Sequence, residues 1–234
     1  MKHESLSYIQ EAVKKHEKEA AALSDHLAAN PEVAYEEFNS SRAMADLLKQ
    51  AGFQVTYPFA GYDTAFCGVL DNGDGPSVAI LTEYDALPGI GHGCGHNLHG
   101  CLSILTGLTL MELKEHFRGK VYVVGTPAEE ASGAKITMAS DGIFDEMDLA
   151  VMMHSGPRGV CMPNTDSMSL RGCIIEFFGQ TAHAAACPWQ GRSALAAARK
   201  FLDLVDARRE CFTPDDMIVS IVFRKIKILP FGSR

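Results

Sequence analysis

The chain has 234 residues, 47% of them hydrophobic, and a formal net charge of −8. That is enough apolar material for one or two buried cores. The acidic balance argues against a nucleic-acid binder, which needs clustered Lys and Arg to neutralise phosphates. The stretch from Met1 to Lys18 is charged and lacks an apolar core segment, and no run of about 18 apolar residues occurs, so neither an export signal nor a membrane span is expected. The seven cysteines are irregularly spaced and read as reduced thiols, which makes the cytoplasm the expected compartment.

In chain order, the spacing of Leu6, Ile9, Val13, Leu23 and Leu27 predicts a helix from Ser5 to Ala29, stopped by Asn30-Pro31. A second helix is expected over Ser41–Ala51, with Ser40 as N-cap and Gly52 as stop. Strands follow at Phe53–Tyr57, Ala65–Leu70 and Ser77–Leu81. Asn72-Gly73-Asp74-Gly75 between the last two reads as a hairpin turn. The unbroken apolar run Val78–Leu81 suits a strand buried on both faces. A helix over Asn97–Leu113, a strand over Lys120–Gly125, a short helix over Lys135–Ser140 and a strand over Leu149–Met153 complete a β-α-β-α order, which predicts an α/β layer sheet. Beyond a boundary near Ser167–Leu170, a strand (Cys173–Phe178), a helix (Arg192–Cys211) and a strand (Met217–Phe223) form a second unit. It is too small to bury much by itself. The expected domains are therefore 1–169 and 170–234.

Polar residues gather where apolar strands end, the place where α/β sheets bind ligands. Glu83 and Asp85 follow one strand, Glu129 and Glu130 a second, and His154 closes a third. In Gly91-His92-Gly93-Cys94-Gly95-His96-Asn97, alternating glycines let Cys94 and His96 converge, and thiolate with imidazole suits zinc and similar ions. The start of the following helix is expected to favour the thiolate. Taken alone, the segment reads sooner as a glycine-rich turn with a buried thiol and a capping His, and the acids at the other strand ends reverse that. Of Glu129 and Glu130, one can ligate metal while the other faces a water, the division of labour of metal-assisted hydrolysis. Asp85 is expected to orient a ligand through a hydrogen bond. His183, in Gln180-Thr181-Ala182-His183-Ala184-Ala185, reads alone as a surface loop residue able to stabilise an oxyanion.

Five segments occur in order: Thr82-Glu83-Tyr84-Asp85-Ala86-Leu87-Pro88, Gly91–Asn97, Thr126-Pro127-Ala128-Glu129-Glu130, Met153-His154 and Ala182-His183-Ala184-Ala185. Together they resemble the dinuclear metallopeptidase family of aminoacylases, bacterial glutamate carboxypeptidase and auxin-conjugate amidohydrolases. The Glu-Tyr-Asp-Ala-Leu-Pro and Cys-Gly-His-Asn forms look like the branch holding aminobenzoyl-glutamate hydrolase and Xaa-Arg dipeptidase-like proteins. The resemblance implies a zinc-peptidase-like layered α/β catalytic domain with an inserted αβ lid that dimerises. It implies Cys94, His96, Glu130 and His154 as metal ligands, Glu129 as general base, Asp85 as the carboxylate behind a ligand, and His183 as a lid histidine acting across a homodimer interface. The implied metals are zinc or manganese, two per subunit in the complete site. The implied reaction is hydrolysis of the amide bond of an N-acyl amino acid or dipeptide-like substrate.

Family members return from the lid and supply a final His ligand, whereas all nine histidines here are at or before His183. The residues from Phe223 to Arg234 also depart from the lid pattern. A truncated product with an incomplete lid is thus expected. The alternative expectation is a non-catalytic remnant that binds metal or a partner subunit.

Overall fold

A computed structural model of the chain describes residues 2–156, 159 and 173–213. The chain divides into two units, Met1–Cys161 and Met162–Arg234. The expected boundary at 169/170 and the expected strand Met217–Phe223 lie outside the described residues.

The first unit opens with α1 (Lys2–Ala29), which starts before the expected Ser5. Its buried stripe runs through Ala12, Ala20, Leu23 and Leu27, while Ile9 is 44% exposed. Two alanines and two leucines, not Ile9, mark the face against the core. In α2 (Phe38–Gln50) the N-cap position belongs to Glu37, not Ser40. The Glu32 carboxylate accepts the Asn39 and Ser40 N–H groups at 3.0 and 2.7 Å, so a carboxylate from outside the helix does the capping. Gly52, at φ +102°, ends the helix as expected.

The strands β1 (Gln54–Thr56), β2 (Phe66–Asp71), β3 (Ser77–Thr82), β4 (Lys120–Gly125) and β5 (Leu149–Met152) form one sheet in the order β1-β2-β4-β3-β5. The expected β2–β3 hairpin does not form. β4 lies between the two, antiparallel to β2 and parallel to β3. The segment leading into β4 threads the turn, with Asn72 N–H donating to Gly119 O and Lys120 N–H to Pro76 O. Val121, Val123 and Val124 of β4 are all buried, as its central place in the sheet requires.

α2 and α3 (His96–Glu112) cover one face of the sheet, and α1 packs mainly on α3. Leu27, Met44, Leu48, Ile104 and Leu108 meet Phe66, Ile80, Val121 and Val123 in a single core. A smaller cluster joins Ala65 to Ala134 and Met138 of α4 (Ala134–Ser140). Val78 and Leu81 stay partly exposed, so β3 is less enclosed than its composition suggests. The unit is a mixed α/β layer with a five-stranded sheet.

In the second unit, residues 173–179 carry no strand, contrary to expectation, and only Gln180 bridges to Arg192. A strand exists through its ladder, and among the described residues this segment has no neighbour to pair with. The expected helix is shorter. α5 (Ala194–Ala207) is capped by Ser193, whose hydroxyl accepts from Ala196 N–H, and a separate 3₁₀ turn covers Arg209–Cys211. Among the described residues no helix is long and apolar enough to cross a membrane.

Candidate metal centre

β3, β4 and β5 are parallel, so their C-terminal ends share one rim of the sheet. Glu83 and Asp85 leave β3, Glu129 and Glu130 follow β4, and His154 follows β5. The loop from β3 ends at Gly95, whose φ of +78° lets the chain turn directly into α3 and places His96 in its first turn.

His96 is fully buried at the centre of this rim. Its Nδ1 lies 2.9 Å from Asp85 O and 3.1 Å from Asp85 Oδ1, so Nδ1–H donates to Asp85 and Nε2 keeps its lone pair. Around Nε2 stand Glu83 Oε2 at 3.4 Å, Glu129 Oε2 at 3.8 Å and Glu130 Oε1 at 4.0 Å. His154 packs edge-on against His96, with ring centroids 5.4 Å apart. Its Nδ1–H donates to Ser155 O at 2.8 Å, again leaving Nε2 as the free lone pair. Two sets of ligand-capable atoms result, Glu83–His96–His154 and His96–Glu129–Glu130, joined by His96.

Asp85 spans the site, with its second oxygen accepting the Glu130 N–H at 2.9 Å. Burial opposes its ionisation, but the hydrogen bonds from His96 and Glu130 outweigh burial and hold the carboxyl below its usual range. Burial likewise opposes a charged His96, and the Asp85 carboxylate overcomes it and raises the imidazole. The negative field that favours a proton on His96 also favours a divalent cation.

Ala128 sits in the left-handed region at φ +62°, which costs a non-glycine residue on the order of 1–2 kcal/mol. Three hydrogen bonds hold it there: Ala128 N–H donates to Glu37 Oε1 and Gly133 N–H to Ala128 O, each at 2.8 Å, and Ala131 N–H donates to Ala128 O at 3.2 Å. The turn leaves the Glu129 side chain 39% exposed and that of Glu130 only 15%.

Cys94 lies beside Glu130. It is exposed and belongs to neither ligand set, and its thiol hydrogen-bonds to Glu130. That bond, reinforced by burial and the nearby carboxylates, pushes the thiol up to about 11, so the helix start does not secure a thiolate. His183 belongs to the second unit and is exposed. Its Nδ1 accepts from Ala185 and Ala186 N–H at 3.3 and 3.1 Å, which places the ring proton on Nε2.

Three residues at this rim were given no role in the sequence reading. Glu83 was noted only as a strand-end acid. His99, one turn after His96 on α3, is fully buried, with Nδ1 2.9 Å from Glu83 Oε2, and the i, i+3 spacing was its signal. Burial, with help from the neighbouring imidazoles, pushes His99 down to about 4. Lys135 of α4 pairs with Glu83 Oε1, and burial lowers it to about 8. No local pattern announces that contact.

Comparison with known proteins decides the family. The model of peptidase family M20/M25/M40 matches residues 79–205, more than half of the chain. This chain belongs to peptidase family M20/M25/M40. Within the family, it is 35% identical over 191 residues to the Xaa-Arg dipeptidase of Mus musculus, covering 76% of this chain and 44% of that protein. It is 33% identical over 214 residues to a subunit of the p-aminobenzoyl-glutamate hydrolase of Escherichia coli, covering 83% of this chain and 44% of that protein. The chain thus spans less than half the length of these relatives. Its fold resembles that of a dinuclear metal-binding M20 peptidase from Bacillus subtilis, with a TM-score of 0.56 at 24% identity over 62% of this chain and 44% of that one.

Proposed function

We propose that the chain carries the metal-binding part of an amidohydrolase that cleaves the amide bond of an N-acyl amino acid or dipeptide-like substrate. The observation that carries this reading is the buried His96 Nε2 lone pair, which has no hydrogen-bond partner and faces three carboxylates. Buried imidazole and carboxylate donors around one point fit zinc or manganese. The names of the relatives, a dipeptidase and an aminobenzoyl-glutamate hydrolase, support the substrate class.

In this reading His96, Glu130 and His154 would hold a pair of divalent ions, and Cys94 would join them by giving up its proton and its hydrogen bond to Glu130. Such ions, when bound, acidify a water and polarise the scissile carbonyl. Asp85 fixes the His96 tautomer and the Glu130 backbone, so both ligands keep their direction. Glu129, the more open of the carboxylates, takes the proton from the attacking water and returns it to the leaving nitrogen. His183, donating through Nε2, stabilises the developing oxyanion from the lid, across a homodimer interface as the family resemblance implies. We place the protein in the cytoplasm, a reading supported by the free thiols of all six cysteines among the described residues.

The test is Glu129→Gln. Metal content by elemental analysis stays within twofold of the parent. Turnover of a panel of N-acyl amino acids and dipeptides drops by about 10²–10⁴-fold. Undiminished turnover removes the general-base role, and a parent chain without metal removes the whole reading.

A further inference from the structure

Glu83 has no part in the ligand set above, yet its side chain is as buried as that of His96. It leaves the end of β3, and its Oε2 stands 3.4 Å from His96 Nε2. No hydrogen bond joins the two, because the His96 ring proton is on Nδ1, engaged with Asp85, and a carboxylate oxygen only accepts. With the ring neutral, two buried lone pairs thus face each other. That arrangement is repulsive by itself and becomes favourable with a cation between them. The separation also fits: two ligands of a tetrahedral ion, each about 2.1 Å from it, stand about 3.4 Å apart.

The surroundings fix this carboxylate. His99 Nδ1–H donates to Oε2 at 2.9 Å, and Lys135 Nζ pairs with Oε1. A ligating carboxylate commonly has such supporting partners, which orient it and leave a lone pair for the ion. His154 closes the third side, with its ring 5.7 Å from that of His99 and 5.4 Å from that of His96. Glu83, His96 and His154 bring one ligand atom each within 4.8 Å of one another. A buried counter-charge for Lys135 alone has no need of His154 or of the His96 lone pair.

Resting on the metal-centre reading above, we infer that Glu83 is itself a ligand, sharing one ion with His96 and His154, while His99 and Lys135 hold its carboxylate in position. The His96 lone pair is then committed to the ion it shares with Glu83 and His154, and Glu129 and Glu130 stand on the other side of the same imidazole.

The test titrates the chelator-treated 234-residue chain with zinc against a chromophoric competing chelator, and with cobalt(II) followed by its visible absorption. Glu83→Gln keeps the shape and removes the charge. It is expected to weaken at least one zinc site by more than about 100-fold, beyond the loss typical of a supporting residue, and to alter the cobalt spectrum. Glu83→Asp, which withdraws the carboxylate by one methylene, is expected to give an intermediate loss. It also serves if circular dichroism finds the Gln variant unfolded. Zinc-loaded crystals of the parent chain should place a Glu83 oxygen about 2.2 Å from an anomalous peak. A parent that binds no zinc overturns this inference together with the metal-centre reading. A parent that binds zinc, with variants matching it within threefold and an unchanged cobalt spectrum, overturns the Glu83 assignment alone. So does a crystal in which Glu83 touches no ion.

Discussion

At the scale of single residues, Glu37 ties a group remote from the candidate metal centre to the turn that carries Glu129 and Glu130. Its side chain is fully buried and joins three segments: its own helix start, Thr64 through a 2.9 Å hydrogen bond, and the strained Ala128 that precedes Glu129 and Glu130. Burial raises its carboxyl above the usual value, and the hydrogen bonds it accepts only partly offset this. The sign follows by linkage. The folded chain holds this proton more tightly than the unfolded chain does. Glu37 therefore favours folding fully below its unfolded pKa, and the benefit is lost as pH rises through the folded one. Glu37→Gln removes that titration while keeping an acceptor for Ala128 N–H. The difference in Tm, variant minus parent, should rise from pH 5 to pH 8, because both proteins share every other titrating group. A flat or falling difference in calorimetric scans would show that Glu37 is ionised at no cost in the fold.

At the scale of elements, the seam between α3 and β3 is the place where packing and chemistry meet. Gly100 is buried against this seam, and a Cβ there would come within 2.8 Å of Glu83 O and into the Met44 side chain. Met44 is fully buried and Glu83 O is backbone, so neither has room to give. Gly100→Ala should therefore cost about 1–3 kcal/mol of stability in urea unfolding, as overpacking does. Because relief would come by moving Glu83, zinc affinity should fall with it. A variant as stable as the parent would mean that α3 can shift freely on the sheet. Elements of this kind were legible where one signal dominates. The β4 limits came directly from an unbroken apolar run, and the C-terminal end of α1 from Asn30-Pro31. Pairing was not legible. Asn72-Gly73-Asp74-Gly75 carries the local chemistry of a hairpin, but β4 gains more from entering between β2 and β3 than a two-strand turn gains from closing. The segment 173–179 has strand composition without a described partner, and composition cannot supply the ladder.

At the scale of the whole molecule, the centre draws on distant parts of the chain, with Asp85, His96, Glu130 and His154 delivered by three parallel strand ends and one helix start. That much was readable, because acids and imidazoles at the ends of apolar runs have few other reasons to be there. Lys135 and Glu37 were not readable, since their partners are set by tertiary packing. The same gathering carries a thermodynamic burden. Glu83, Asp85 and most of Glu130 are withdrawn from water within a few ångströms of one another, and carboxylates so placed repel unless compensated. Lys135 and His96 supply only part of the compensation. A divalent ion that binds the folded chain and not the unfolded one stabilises it by about 2.7 kcal/mol at a free concentration of 100 times Kd. Exhaustive chelation should thus lower the calorimetric Tm of the 234-residue chain. Zinc or manganese should restore it in a concentration-dependent way, and magnesium should do so poorly, because it prefers oxygen ligands to imidazole. A Tm indifferent to both chelator and metal would mean that protons and Lys135 balance these carboxylates without an ion. The convergence of the three strand ends would then be a structural feature, with no bearing on hydrolysis.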